Sequence, residues 1–209
     1  MKIFVSGIDT DAGKSYATGF LARELSRNGK KVITMKFIQT GNQEFSEDID
    51  IHRKITGTGM LPRDLDHTTA PIIFSYPCSP QLAARIDNRE IDLDVIDNAA
   101  DILDAENDFT LIEGAGGLMV PLTDDFLTID YPASRNIPVA LVTNGRLGSI
   151  SHTLLALDAL LKRGIKVEYL LYNTHFDKDR VIVEDTRAFL ERYLLKNSPA
   201  TKWLDIPSF

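Results

Sequence analysis

The sequence predicts an α/β fold, a doubly wound and mostly parallel sheet flanked by helices, on three observations. A glycine-rich loop, Gly7 to Ser15 (GIDTDAGKS), joins an apolar run to a helix-like stretch. Short β-branched runs are apolar at consecutive positions, as strands buried on both faces are. Amphipathic stretches of helical period alternate with those runs, the pattern of crossover units on a parallel sheet.

Taken in order, Lys2 to Ser6, Lys31 to Lys36, Phe109 to Ile112, Val139 to Thr143 and Val167 to Tyr172 read as strands. Tyr16 to Arg27, Leu93 to Ala105, Ser149 to Arg163 and Arg180 to Leu195 read as helices. The helix after the loop begins near Lys14. Asn28-Gly29 and Gly164 are placed as C-terminal stops. Phe37 to Pro80 is rich in Gly, Pro, Asp and Thr and predicts loops, with a short helix near Asp48 to Ile55. The acidic residues between Asp87 and Asp108 alternate with Ile, Leu and Val, as the wet face of a helix does.

At 209 residues, with 44% hydrophobic and 25% charged residues, the chain suits one globular domain over residues 1–209. The net charge of −7 argues against nucleic acid or an anionic membrane as partner, since both demand basic surface. One cysteine, Cys78, leaves no intrachain disulfide and no thiolate cluster, as expected of the cytoplasm. No apolar run reaches membrane-spanning length, and no secretory signal is expected. The four histidines lack zinc-type spacing, so no structural metal is expected.

The chemistry sits at strand ends, where ligands bind in such sheets. In the Gly7 to Ser15 loop, backbone N–H groups can face anionic oxygens, Lys14 can reach the outer phosphates, and the Ser15 hydroxyl can ligate Mg²⁺. Five residues separate Gly7 from Gly13, one more than in GxxxxGK[ST]. Lys36 ends the second strand, as a cation facing a transferring phosphoryl group or as a solvated lysine. Glu113 precedes glycines that permit close backbone approach or simply a tight turn. Glu113 with Ser15 makes a partial Mg²⁺ shell that an upstream acid completes, Asp48 first, though Asp48 and Asp50 also suit a helix start. Gly148, Ser149 and Ser151 open a helix whose free N–H groups either hold a carboxylate or are capped by the serines. Asn173 follows a strand where an amide can read a nucleotide base or make a turn.

GIDTDAGKS, KFIQTG, SEDIDIHR, YPCSPQLAA, EGAGGLMVPL, GRLGSISHTLL and YNTH, in this order, resemble the dethiobiotin synthetase family over almost the whole chain. The longer phosphate loop is that family's form. The resemblance implies a homodimeric Mg²⁺- and ATP-dependent cyclo-ligase of biotin synthesis with a phosphate-loop NTPase fold, acting on 7,8-diaminononanoate and CO₂. It implies Lys36, Lys14 and Thr10 as catalytic residues and Ser15, Asp48 and Glu113 as metal ligands. ATP would be held by Asp11, Ala12, Gly13, Lys14, Ser15, Tyr16, Asp48, Glu113, Gly114, Ala115, Gly116, Asn173, Thr174, Pro207, Ser208 and Phe209. Substrate would meet Thr40, and its carboxylate would meet Gly148, Ser149 and Ser151 of the other subunit.

Three positions depart from the family pattern: Phe37 stands for proline, Gln81 for histidine, and the chain ends soon after Ile206-Pro207. Two other enzyme classes share such a loop. Partitioning ATPases usually carry a second lysine five residues before the main one, where this chain has Asp9. Amide ligases usually add a glutaminase domain, for which 209 residues leave no room.

Overall fold

Ile3, Phe4 and Val5 are all fully buried, and their side chains alternate between two separate apolar clusters, one on each face of a sheet. A computed structural model describes residues 1–208. In chain order it contains β1 (Lys2–Gly7), α1 (Lys14–Arg27), β2 (Val32–Lys36), β3 (Gln39–Thr40), α2 (Glu47–Thr56) and α3 (Pro62–Leu65). Then come β4 (Ile73–Phe74), α4 (Pro80–Ile86), α5 (Leu93–Glu106), β5 (Phe109–Gly117), α6 (Asp130–Ser134) and β6 (Val139–Asn144). The chain continues through α7 (Ser149–Lys162), β7 (Val167–Asn173), a 3₁₀ turn (Thr174–Phe176), α8 (Arg180–Asn197) and β8 (Lys202–Ile206).

The main sheet runs β2-β5-β1-β6-β7-β8, every neighbouring pair parallel, and β3 and β4 form a small parallel pair beside it. α5 and α7 pack on the Phe4 face through Ile96, Leu103, Leu157 and Leu160, and α1 covers the other through Ala17, Phe20 and Leu21. α2 lies against α1 because Gly19 has no side chain: a Cβ there would stand 3.0 Å from Ile55 Cδ1 and 3.3 Å from His52 Cα. That close approach brings the first turns of α2 over the phosphate loop. Among the described residues no helix is long and apolar enough to cross a membrane.

Several elements differ from expectation. The Phe37 to Pro80 stretch holds β3, α3 and β4 beside the expected short helix, and α4, α6 and the 3₁₀ turn have no counterpart in the sequence expectation. β5 does not stop at Ile112 but pairs with β1 through Glu113, bulges, and rejoins it where Gly7 meets Gly117. Backbone pairing overrides the weak strand propensity of glycine here. β8 was not expected from the sequence, because it lies at the sheet edge with only its last residue, Ile206, buried, while Lys202 and Asp205 are exposed.

The Phe37 departure is a core residue. Its ring packs on Phe4 at 5.5 Å and Tyr131 at 4.6 Å between centroids, and its N–H donates to Glu113 O at 2.8 Å, a bond proline cannot make. Gln81 Nε2 donates to Asp124 Oδ1 at 2.6 Å, tying α4 to the loop after β5.

A buried ion pair braces the region around Lys36. Arg53 of α2 donates from Nε and Nη2 to the two oxygens of Asp64, each at 2.8 Å, and from Nη1 to Thr34 Oγ1 of β2. Burial alone would raise the Asp64 pKa, but Arg53, the Leu61 N–H and the Thr69 hydroxyl outweigh it and hold the carboxyl below the usual range. A native pKa below the unfolded one gives stability that is full above the ordinary aspartate value and lost as pH falls through the native one. Asp64→Asn is therefore expected to cost about 3–5 kcal/mol at neutral pH by leaving Arg53 unpaired. Urea melts across pH 3 to 7 check this: the cost should shrink toward the acid end.

Candidate active site

Gly13 closes the phosphate loop with φ +89° and caps α1, and no side chain caps that helix. The free N–H groups and positive end of α1 therefore face the cavity. A Cβ on Gly13 would fall 2.2 Å from Asn173 Nδ2, so only glycine lets the loop meet the end of β7. Asn173 bridges the two: Nδ2 donates to Ala12 O at 3.0 Å and Oδ1 accepts the His175 N–H at 3.1 Å. One N–H and one lone pair of the amide remain for a ligand.

Lys14 folds back over the loop, donating to Asp9 O and Thr10 O at 3.0 Å each. Burial is the main cause of its lowered pKa, with the Lys36 charge adding to it against the pull of Glu113 and Asp48.

Lys36 at the end of β2 is also buried, and its ammonium lies between two carboxylates, 2.5 Å from Asp48 Oδ2 and 2.8 Å from Glu113 Oε1. Burial pushes its pKa down, but Glu113 and Asp48 outweigh this and raise it. Glu113 is buried too. Desolvation would raise its pKa, yet the Lys36 charge and a hydrogen bond from His52 hold it far below the carboxylate range. Ser15 Oγ lies 2.6 Å from Asp48 Oδ1 and 3.0 Å from Glu113 Oε1. One hydroxyl hydrogen serves two carboxylate oxygens, so three hard oxygens converge with fewer hydrogens than they can use.

That donor set fits Mg²⁺, which takes one or two carboxylates and fills its shell with phosphate oxygen and water. Among the described residues there is no group of three or more His, Cys, Asp and Glu suited to a metal. Asp50 belongs elsewhere: it is half-buried and pairs with Lys54 at 2.5 Å.

These groups open on one cavity of about 530 Å³. Of the residues expected at the nucleotide, Asp11, Gly13, Lys14, Ser15, Tyr16, Asp48, Glu113, Ala115, Gly116, Asn173, Pro207 and Ser208 line it, as do Thr10, Lys36 and Thr40. Ala12 and Gly114 stand behind the wall. Ala12 accepts the Asn173 bond, and Gly114 packs under Phe4, whose Cζ would be 2.9 Å from a Cβ there. Thr174 Oγ1 ties the 3₁₀ turn to Ile206 O at 3.0 Å. Phe209 lies outside the described residues. Gly148, Ser149 and Ser151 do not line this cavity, and Ser149 Oγ donates to Asn144 Oδ1 at 2.6 Å.

Four residues at the site escaped the sequence reading. His52 is fully buried with Nε2 2.6 Å from Glu113 Oε2. It stands one helical turn after Asp48, a spacing that places both on one face of α2. Arg146 ion-pairs with Asp9 Oδ2 at 2.7 Å and lies over the Phe176 ring at 4.5 Å. Phe176 and His175 line the end of the cavity near Pro207. Sequence order carries no signal for a contact between positions as distant as Asp9 and Arg146.

Residues 1–198 match a family model described as an AAA domain. The chain is 46% identical over 198 residues to a protein of Pasteurella multocida named ATP-dependent dethiobiotin synthetase BioD 2, covering 95% of this chain and 93% of that one. It is 45% identical to ATP-dependent dethiobiotin synthetase BioD of Chlorobaculum tepidum, covering 93% and 83%. A plasmid partition protein of Borrelia burgdorferi, solved with AMPPNP, shares the fold at a TM-score of 0.56 and 17% identity, covering 98% of this chain and 86% of that one.

Proposed function

Since this chain belongs to the ATP-dependent dethiobiotin synthetase family, we propose that it closes the ureido ring of dethiobiotin in this cleft, from 7,8-diaminononanoate, CO₂ and ATP. The observation that carries the residue assignment is the convergence of Lys14, Lys36, Ser15, Asp48 and Glu113 on one cavity walled by the phosphate loop. An uncharged amine of the substrate adds to CO₂ and gives up a proton to solvent, leaving a carbamate. A carbamate oxygen attacks the γ-phosphorus, ADP leaves, and a carbamic-phosphoric anhydride forms. The second amine then attacks the carbonyl carbon, loses a proton and expels phosphate.

The phosphoryl-transfer step has residues suited to it. Carbamate and triphosphate are both anions, so their approach needs fixed positive charge. Lys14 and the N–H groups of Thr10 to Ser15 hold the phosphates. Lys36, buried at the end of β2 and lining the same cavity as Thr40, offsets charge on the carbamate and on the phosphoryl group in transit. Ser15, Asp48 and Glu113 would hold Mg²⁺, which would supply charge neutralisation for the nucleotide phosphates. Asn173, Pro207 and Ser208 border the space for the base. The half-buried Cys78 suits a cytoplasmic protein.

The α7 start stands apart from the cavity of its own chain, which supports a homodimer in which Gly148, Ser149 and Ser151 receive the substrate carboxylate of the other subunit. Mixing two inactive variants tests this. Lys36→Gln disables the chemistry of its own cavity, and Ser151→Glu sets a negative charge on the exposed helix start. After exchange, roughly a quarter of wild-type turnover should return, since half of randomly paired dimers are mixed and each holds one intact site. No recovery above the sum of the parents contradicts a shared site.

A further inference from the structure

We propose that Lys36 is the resident counter-ion of the metal site, and that it gives up the Asp48 and Glu113 carboxylates when a divalent cation takes them, which frees its ammonium for the reacting anions. This rests on the reading of Ser15, Asp48 and Glu113 as metal ligands and deepens it.

The geometry supplies the reason. Lys36 Nζ reaches Asp48 Oδ2 and Glu113 Oε1, and Ser15 Oγ reaches Asp48 Oδ1 and that same Glu113 Oε1. The ammonium and the hydroxyl thus sit on the carboxylate oxygens that a cation would need. The buried Glu113 carboxylate beside the partly buried Asp48 would be strongly penalised without a cation, so the metal-free protein requires a positive charge at this place. Lys36 provides it. A lysine with both carboxylates as partners has no hydrogen-bonding capacity to spare for carbamate and phosphate together, because the ammonium has three N–H groups and Gly114 O, at 3.2 Å, takes the third. The catalytic lysine is therefore fully engaged until its partners are taken by something else.

Glu113 does not need Lys36 to keep its place. His52 holds the opposite oxygen, Oε2, from the far side, so Oε1 keeps its aim when the ammonium departs. Lys14 differs: its ammonium binds loop carbonyls and neither carboxylate. Arrival of the metal and release of the catalytic cation become one event, which keeps the lysine occupied until the nucleotide site is assembled.

Binding of Mn²⁺ in the absence of nucleotide and substrate, followed by electron paramagnetic resonance, separates this from a purely catalytic Lys36. Lys36→Met should bind Mn²⁺ about tenfold more tightly than the wild type, because a competing cation is gone. Lys14→Met should tighten binding severalfold less, because only its distant charge is lost. Equal binding by wild type and Lys36→Met, or equal gains in both variants, overturns the proposal. If Glu113→Gln leaves Mn²⁺ binding intact, the ligand assignment itself falls, a different failure from the first. Should Lys36→Met not fold, the wild type answers: acetylation of Lys36 by acetic anhydride, mapped by mass spectrometry, should rise about fivefold or more when Mg²⁺ is added, as an ammonium leaves two short ion pairs. Unchanged acetylation overturns the proposal.

Discussion

Lys36→Gln is expected to lower kcat by about 10²–10³-fold while the Kd for ATP at saturating Mg²⁺ stays within about threefold of wild type. The glutamine amide keeps length and hydrogen bonding but carries no charge. Lys36 is not part of the phosphate loop, and Lys14 and the loop N–H groups still hold nucleotide. On the proposed mechanism, what is lost is positive charge at the carbamate and the transferring phosphoryl group, needed more in the transition state than before it. Steady-state turnover paired with calorimetric ATP binding checks both halves. Unchanged kcat would remove Lys36 from the mechanism, and an equal loss in ATP affinity would make it a nucleotide-binding residue instead.

Glu113→Gln is expected to act on metal, turnover and stability together. The substitution leaves Lys36 with one carboxylate and presents His52 with an amide. Removing one partner from a buried charge network costs about 3–5 kcal/mol, so a lower Tm is expected. In the protein that remains folded, the Mg²⁺ concentration for half-maximal nucleotide binding should rise about tenfold and kcat should fall about a hundredfold, the scale of a lost ligand or positioned charge. Circular dichroism separates the stability loss from the metal effect. A Mg²⁺ titration identical to wild type would tell against Glu113 as a ligand.

Much of this was legible in the sequence because it is local. The loop GIDTDAGKS names its own fold context, and Ile3, Phe4 and Val5 announce a strand buried on both faces. Lys36, Asp48 and Glu113 were legible as residues at a strand end, a helix start and a strand end, though only folding brings them within 3 Å of one another through Lys36. What stayed hidden was nonlocal. His52 looked like any histidine on an amphipathic helix, and its role depends on Gly19 letting α2 approach α1. β8 offered too little apolar alternation to be seen before β7 paired with it. The glycines after Glu113 looked like a loop, yet they continue a strand around a bulge, and Gly114 answers to the Phe4 ring beneath it.

The fold alone does not choose between a synthetase and a partitioning ATPase, since a partition protein shares it. The loop does more. At the position where those ATPases usually carry a second lysine stands Asp9, and its charge is paired within the chain to Arg146. An acid there cannot donate to phosphate, which separates this site from theirs in sign as well as in sequence.

The most direct measurement is incubation of the purified protein with 7,8-diaminononanoate, MgATP and labelled bicarbonate, scoring ADP release and acid-stable label in a cyclic urea. Equal amounts of both, each dependent on the diamine, are the expected result. ATP turnover without fixed label, or turnover indifferent to the diamine, would contradict the synthetase function.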